Sequence, residues 1–197
     1  SLLAMQKRQN TARDLGEDIR IVQSYGFFVW AGMIVGFDAD DNNVFEEQLQ
    51  FINEVNIPIS MTGMLNAPAN TPLWHRLYKE GRLREGYQYT DQADTNIIPK
   101  QMSVDALREG YIRLMKELYS YQNYEKRLSG AIGAIHKKFY HPKRGISWRR
   151  AMMNIQRLAK VLNYYLLTAD KERRDFFVRI VSQLIKEKPD YLKEGLW

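Results

Sequence analysis

Two glycines raise the first chemical question. Gly32 and Gly36 interrupt the run Val29 to Phe37, V-W-A-G-M-I-V-G-F, which is otherwise apolar. A short run of this kind suits a strand of a parallel sheet with layers packed on both faces. Glycine weakens a strand unless a helix, another backbone or a ligand must come close there. An acidic turn follows at Asp38, Asp40 and Asp41. The end of a parallel strand, where the chain turns into a helix, is also where α/β proteins usually place ligands. A buried strand whose glycines merely relieve packing is the plainer alternative, because a lone glycine pair is a weak motif.

A second stretch of this type is N-A-P-A-N-T-P-L-W, from Asn66 to Trp74. Thr71 is a good N-cap and Pro72 a good first helical residue. The stretch reads equally as a ligand-side loop and as a plain helix start. Elsewhere the side-chain chemistry is sparse. No Ser-His-Asp order, phosphate loop or paired carboxylates stand out. His136 and His141 flank one break with no third ligand in reach by spacing, and His75 reads as a surface or packing residue in mid-helix. The chain has no cysteine, so it holds neither a disulfide framework nor thiolate metal ligands of its own. Lys137, Lys138, Lys143, Arg144, Arg149 and Arg150 cluster around one break. Such a cluster suits an anionic partner, whether nucleic acid, phospholipid or a phosphorylated substrate, or else a solvated face.

These stretches need elements to hold them. Apolar spacing predicts a helix over 12–24, capped by Asn10 or Thr11, with Leu15, Ile19 and Val22 inward. The strand over 29–37 follows. A helix over 44–55 then shows Phe45, Leu49 and Ile52 as its stripe. A second strand over 57–65 leads to a helix from Pro72 to Gly81. The order helix, strand, helix, strand with short links is βαβ logic. Two strands make no stable sheet alone, so they either complete a sheet in another molecule or belong to a piece of a longer α/β protein, the second being favoured by the abrupt helical start. Residues 82–102 are polar and irregular, a functional or linking loop. From Ser103 the pattern is helical, with Leu107, Tyr111, Leu114, Met115 and Leu118 inward. Further helices are expected over about 121–139, 148–167 and 171–186, packed as a small bundle. Gly130 and Gly133 should interrupt the first of them.

The charge balance agrees with two regions. Residues 1–100 carry 9 Lys/Arg against 13 Asp/Glu, and residues 101–197 carry 20 against 10, which gives −4 and +10 and the total of +6. No apolar run reaches membrane-span length and the start has no signal-peptide core. These features predict a soluble, cytoplasmic protein.

The ordered motifs carry a resemblance. G-M-I-V-G-F-D, a helix with F-x5-F-I, a second strand, P-x2-T-P-L-W and a helix ending E-G-R-L resemble the late barrel of radical SAM enzymes. M-Q-K-R-Q-N-T at 5–11, D-T-N-I-I-P-K-Q-M at 94–102 and the basic helical tail are similar to the cobalamin-binding type of that family, with its own C-terminal domain. The resemblance implies an α/β chain: the last βα units of a partial (β/α) barrel over 1–81, a connecting loop over 82–102, and a helical C-terminal domain over 103–197. It implies S-adenosylmethionine, a 4Fe-4S cluster and, in this type, cobalamin as cofactors of the intact enzyme. The cluster-binding Cys-x3-Cys-x2-Cys loop would lie upstream, so this chain should be inactive by itself. Radical-based methyl transfer or oxidoreduction would be the reaction, on a small-molecule or lipid substrate.

The family's glycine-rich strand, G-x-I-x-G-x-x-x-E, lines the adenosine. The resemblance therefore assigns cofactor contact to Gly32, Ile34, Gly36 and Asp40, and places Pro68 and Thr71 near the adenine. It makes Asn96 and Lys100 substrate contacts and assigns no catalytic or metal-binding residue here. The upstream part of the same polypeptide is the expected partner, with self-association of the isolated chain through the strand it would otherwise pair; nucleic acid is not an expected partner of the enzyme. The competing reading is a non-catalytic interaction module, in which the basic tail binds nucleic acid or a membrane surface.

Overall fold

The computed structural model describes residues 14–84, 86, 93–136 and 148–189, with backbone only at 148–151 and 154. The fold is mixed α/β. Its elements are α1 (Leu15–Ser24), β1 (Trp30–Val35), α2 (Val44–Glu54), β2 (Ile59–Met64), α3 (Pro72–Lys79), α4 (Val104–Leu118), α5 (Tyr121–Ala134), α6 (Trp148–Asn163) and α7 (Lys171–Glu187). A π-helical turn, Tyr164–Thr168, continues α6. β1 and β2 pair in parallel, Trp30 opposite Ile59 through Val35 opposite Met64. Both strands are shorter than their apolar runs. β1 stops because Gly36 leaves the extended region, with φ of +101°.

The sheet is covered on one face. Val35 and Met64 join Val44, Phe45 and Ile52 of α2 and Leu107, Tyr111, Leu114 and Leu118 of α4 in a single core. Full burial of each α4 leucine stabilises by roughly 1.5–3 kcal/mol. A Cβ on Gly110 would fall 2.2 Å from the Phe45 ring, so α4 meets α2 at a position only glycine can fill. The opposite face carries Trp30, Gly32 and Ile34 beside Ile59, Met61 and Gly63. Trp30 is 64% exposed and Met61 56%. The expected second layer is thus missing among the described residues, because both helices that reach the sheet lie on the same side.

Hydrogen bonds also reach the strand edges. The Tyr119 hydroxyl donates to Ser60 O (2.7 Å) and accepts from Ser60 N (3.3 Å), and the Tyr111 hydroxyl donates to Thr62 O (3.1 Å). These backbone groups point away from β1. On the far edge of β1, Gln48 Nε2 donates to Ile34 O at 3.0 Å.

Helix α1 differs from its predicted packing. Asp14 caps it, accepting from Gly16 N at 2.8 Å, whereas Asn10 and Thr11 lie outside the described residues. Leu15 and Val22 are exposed, Ile19 packs against the core as expected, and the buried side is Gly16, Gln23 and Ser24. Gln23 decides this orientation: its Nε2 donates to Val55 O and Asn56 O, both at 3.0 Å, closing the end of α2.

Helix α5 runs unbroken through Gly130, contrary to the predicted interruption. A Cβ there would meet Asn56 Oδ1 at 2.2 Å, so this glycine permits close approach to the end of α2. Arg127 is wholly buried beneath the same helix. Its Nε donates to Ile57 O (2.9 Å), Nη1 to Asn53 Oδ1 (3.0 Å) and Nη2 to Leu118 O.

Helix α6 runs into its π-helical turn, which meets α7 through a stack of Tyr165 on Phe177. α7 packs on α5 through Ile180, a stack of Phe176 on Tyr124 and an Arg179–Glu125 ion pair. α6 makes its contacts mainly with the π-helical turn that continues it. Ser103 and Asp170 cap α4 and α7 as expected, accepting from Ala106 N and Arg173 N. Lys137, Lys138, Lys143, Arg144 and His141 lie outside the described residues, as do the side chains of Arg149 and Arg150. No described helix is long and apolar enough to cross a membrane.

Candidate functional site

Three pieces converge at the carboxyl ends of the strands. The first is the uncovered sheet face. A Cβ built on Gly32 or on Gly63 would meet nothing within 4 Å. Gly63 lies opposite Ile34, two residues beyond the partner of Gly32. The result is a shallow trough of bare backbone flanked by Ile34, Met61 and Trp30. Of the predicted cofactor residues, Gly32 and Ile34 stand on it.

Gly36 does not. It is buried at the strand end, and a Cβ there would lie 2.9 Å from Leu107 Cδ2, on the core side. Its glycine is required by positive φ and by α4. Asp40 is likewise turned to structure. Its Oδ2 accepts from Gly36 N and Phe37 N, both at 2.9 Å, so the carboxylate shapes the turn after β1. Burial holds the Asp40 carboxyl above its ordinary pKa, overcoming the pull of those two N–H donors.

The second piece is the segment 94–101, which is not a loose connector. Leu83 and Ile97 form an antiparallel bridge, and Arg84 N and Ile98 N complete it with Asn96 O and Arg82 O, each at 2.9 Å. Asn66 Nδ2 donates to Asp94 O (3.1 Å), and Asn96 N donates back to Asn66 Oδ1 (3.1 Å). Asn96 Oδ1 accepts from Ala67 N (2.8 Å) while its Nδ2 donates to Ala67 O (2.7 Å). Thr95, fully buried, donates to Leu65 O. Asn96 therefore pins the loop after β2. Lys100 is exposed. Gln101 Nε2 reaches Asp38 O (3.0 Å), tying the segment to the loop after β1 as well.

Asp38 anchors the other side of this clamp. It pairs with Arg76 (2.5 Å) and Arg82 (2.7 Å), and Arg82 also pairs with Glu80 (2.9 Å) and donates to Ile98 O (2.9 Å). Burial pushes the Asp38 carboxyl up, but the two guanidiniums outweigh it and hold the pKa below the ordinary 3.8. A carboxylate with a depressed folded pKa stabilises above its unfolded pKa, and that stability is lost as pH falls through the folded value. Asp40, shifted upward, acts in the opposite sense. Asp38→Asn should therefore flatten the acid limb of stability below about pH 4, read as thermal midpoint against pH. An acid limb identical to that of the parent chain would refute the assignment.

The third piece is a cavity of about 590 Å³ beside the loop that follows β2, with Ala69, Trp74, Tyr78, Leu83, Arg84 and Asn96 on its walls. Trp74 stacks on Tyr78 with centroids 5.1 Å apart and planes at 9°. The Thr71 hydroxyl starts this helix, accepting from Trp74 N (3.2 Å) and donating to Pro68 O (2.7 Å). Pro68 is exposed. Both predicted residues thus build the α3 turn that carries the aromatic wall. Trp74 and Tyr78 went unassigned in the sequence, although their i,i+4 spacing was visible there. Among the described residues no group of three or more His, Asp or Glu could hold a metal ion.

Comparison with known proteins adds identity to this geometry. A hopanoid C-2 methylase of Rhodopseudomonas palustris is 37% identical over 97 residues, which cover 49% of this chain and 18% of that protein. An uncharacterized methyltransferase of Synechocystis sp. is 33% identical over 129 residues, 64% of this chain and 24% of that protein. The chain thus spans less than a quarter of the length of the curated relatives it matches. No solved structure matches it. Residues 71–197 match the model of a domain of unknown function, DUF4070. With that match covering more than half of its length, the chain belongs to the DUF4070 family, whose domain is found in cobalamin-binding radical SAM proteins, in agreement with a C-terminal portion of a radical SAM enzyme.

Proposed function

We propose that this chain is the closing part of a radical SAM methyltransferase, in which β1 and β2 are the last strands of a partial (β/α) barrel and the uncovered sheet face lines the S-adenosylmethionine. The observation that carries this is the pair of bare glycines, Gly32 and Gly63. A planar purine can lie against such backbone at van der Waals distance, with Ile34 and Met61 as apolar flanks. The residues present fit that half of a cofactor site. They do not supply cluster ligands, since the chain has no cysteine; in this reading the cluster and cobalamin are held by the preceding part of the polypeptide, whose last strand pairs with the outer edge of β1, taking the place of Gln48 at Ile34 O. When bound, these groups supply a radical initiator and a transferable methyl group.

The chain's own residues orient and exclude. Asp40 fixes the turn after β1, Asn96 fixes the loop after β2, and the Arg82–Asp38 pair holds the two together. Trp74, Tyr78 and Leu83 offer an apolar wall to the substrate, and Lys100 stands exposed on the same clamp as a substrate contact. The methylase relative acts on a hopanoid by name, and an apolar substrate fits this wall.

The test uses 5′-deoxyadenosine as a probe in saturation-transfer NMR on this chain. Transfer from the sheet-face side chains is expected in the parent and lost in Gly32→Val and Gly63→Val. Both positions are strand residues with open space beyond them, so the variants should keep the parent melting temperature. No transfer in the parent, or equal transfer in both variants, would remove the support for a cofactor wall here.

A further inference from the structure

Helix α6 is poorly explained by the fold and by the cofactor reading. Met152, Ile155, Leu158 and Leu162 fall within about a third of its circumference, the width of an ordinary core-facing stripe. Yet Ile155 is 59% exposed and the other three are 37–41% exposed. Among the described residues, the helix packs on little beyond its own continuation. The remaining surface is one-signed. Arg149, Arg150, Arg157 and Lys160 are its charged residues, and no Asp or Glu occurs between Trp148 and Asn163. Arg157 and Lys160 lie opposite the apolar arc. A helix made to pack on a protein core normally carries charges of both signs on its wet face, which keeps it soluble and monomeric. A large apolar arc backed by cations alone is the pattern of a helix that lies in the plane of an anionic bilayer.

We propose that α6 docks on an anionic phospholipid surface, its apolar arc entering the headgroup–acyl boundary and its cations facing the phosphates. The attachment of α7 suits this. α7 is fastened to α5 through Ile180, the Arg179–Glu125 pair and a Gln183 Nε2–Ser129 O bond of 3.1 Å. α6, with few contacts to the core among the described residues, is tied through the π-helical turn and α7 to the body that carries the site. The inference is independent of the cofactor wall and would stand if that failed.

The experiment is vesicle flotation of the full chain, with phosphatidylglycerol–phosphatidylcholine vesicles against pure phosphatidylcholine. The chain should float with the anionic vesicles and much less with the neutral ones. Ile155→Glu should lower partitioning at least about tenfold, since it places a charge in the apolar arc. Neutralising Lys160 or Arg157 should lower it about fivefold each, with the effect shrinking as salt rises. Both sites are exposed, so an unchanged melting temperature verifies folding. Failure of the parent to float would overturn the proposal. Flotation indifferent to Ile155→Glu would also overturn it, leaving adsorption by charge alone. So would a parent that sediments as a dimer, becomes monomeric in Ile155→Glu and ignores vesicles; the arc would then be covered by a second copy. Equally strong, salt-dependent binding to duplex DNA that does not respond to Ile155→Glu would assign the cations to nucleic acid instead.

Discussion

Arg127→Leu should lower the unfolding free energy by about 3–5 kcal/mol, the usual cost of breaking a buried charged network from one side. The arginine joins four parts of the molecule at once. It donates to Ile57 O before β2, to Asn53 Oδ1 in α2 and to Leu118 O at the end of α4, while belonging to α5. Its guanidinium also lies over the Tyr124 ring, 6.0 Å from the centroid. Burial depresses its pKa, but the carbonyls around it, including one at a helix C-terminus, offer a field of partial negative charge. Leucine would fill part of the volume and leave those acceptors without donors, each at a cost of about 1–3 kcal/mol if water cannot enter. Urea denaturation of the two chains measures the difference. A loss under about 1 kcal/mol would show that the network contributes little.

Gly36→Val should be nearly as damaging, at about 3–5 kcal/mol, combining a strained backbone with a steric overlap. At φ of +101° a β-branched residue is strained whatever the space, and the Cβ would lie 2.9 Å from Leu107. Leu107 is itself wholly buried in the sheet–helix core. Gly32→Val, four residues earlier, should leave stability within about 0.5 kcal/mol. The contrast matters for any binding study. Loss of ligand binding in Gly36→Val would report a broken strand end, whereas loss in Gly32→Val reports a filled trough. Equal melting temperatures for the two variants would contradict this division.

The division between these glycines shows how far the sequence could be read. The G-x-I-x-G spacing marked a strand end where something comes close. It could not say that one glycine faces open space and the other faces α4, because that depends on Leu107, more than seventy residues away. Element order, both strands and the caps Thr71, Ser103 and Asp170 were legible, since each is fixed by local hydrogen bonding or by periodicity. The α4 stripe was legible for the same reason. Local pattern failed where a polar residue makes long-range bonds. Gln23 turned α1 so that only Ile19 of its predicted stripe packs inward, and Arg127 was not singled out among the basic residues of the second half. Asn66, Thr95 and Asn96 converted an apparently irregular connector into a clamp. Two-sided burial of β1 was inferred from an apolar run, and the fold provides helices on one side of it.

The tyrosine hydroxyls at the margin of β2 carry one more consequence. Two of the outward backbone carbonyls of β2 and one outward N–H already have partners in Tyr111 and Tyr119. A strand arriving from that side would have to displace both, whereas on the far side of β1 it would displace only the Gln48 bond to Ile34 O, so among the described residues β1 is the more open margin. Growth of the sheet therefore has a direction and an end. Two copies that joined edge to edge through β1 would bury the more open margin of each, displacing Gln48 from Ile34 O. Assembly by that route stops at a pair and cannot propagate into a fibre.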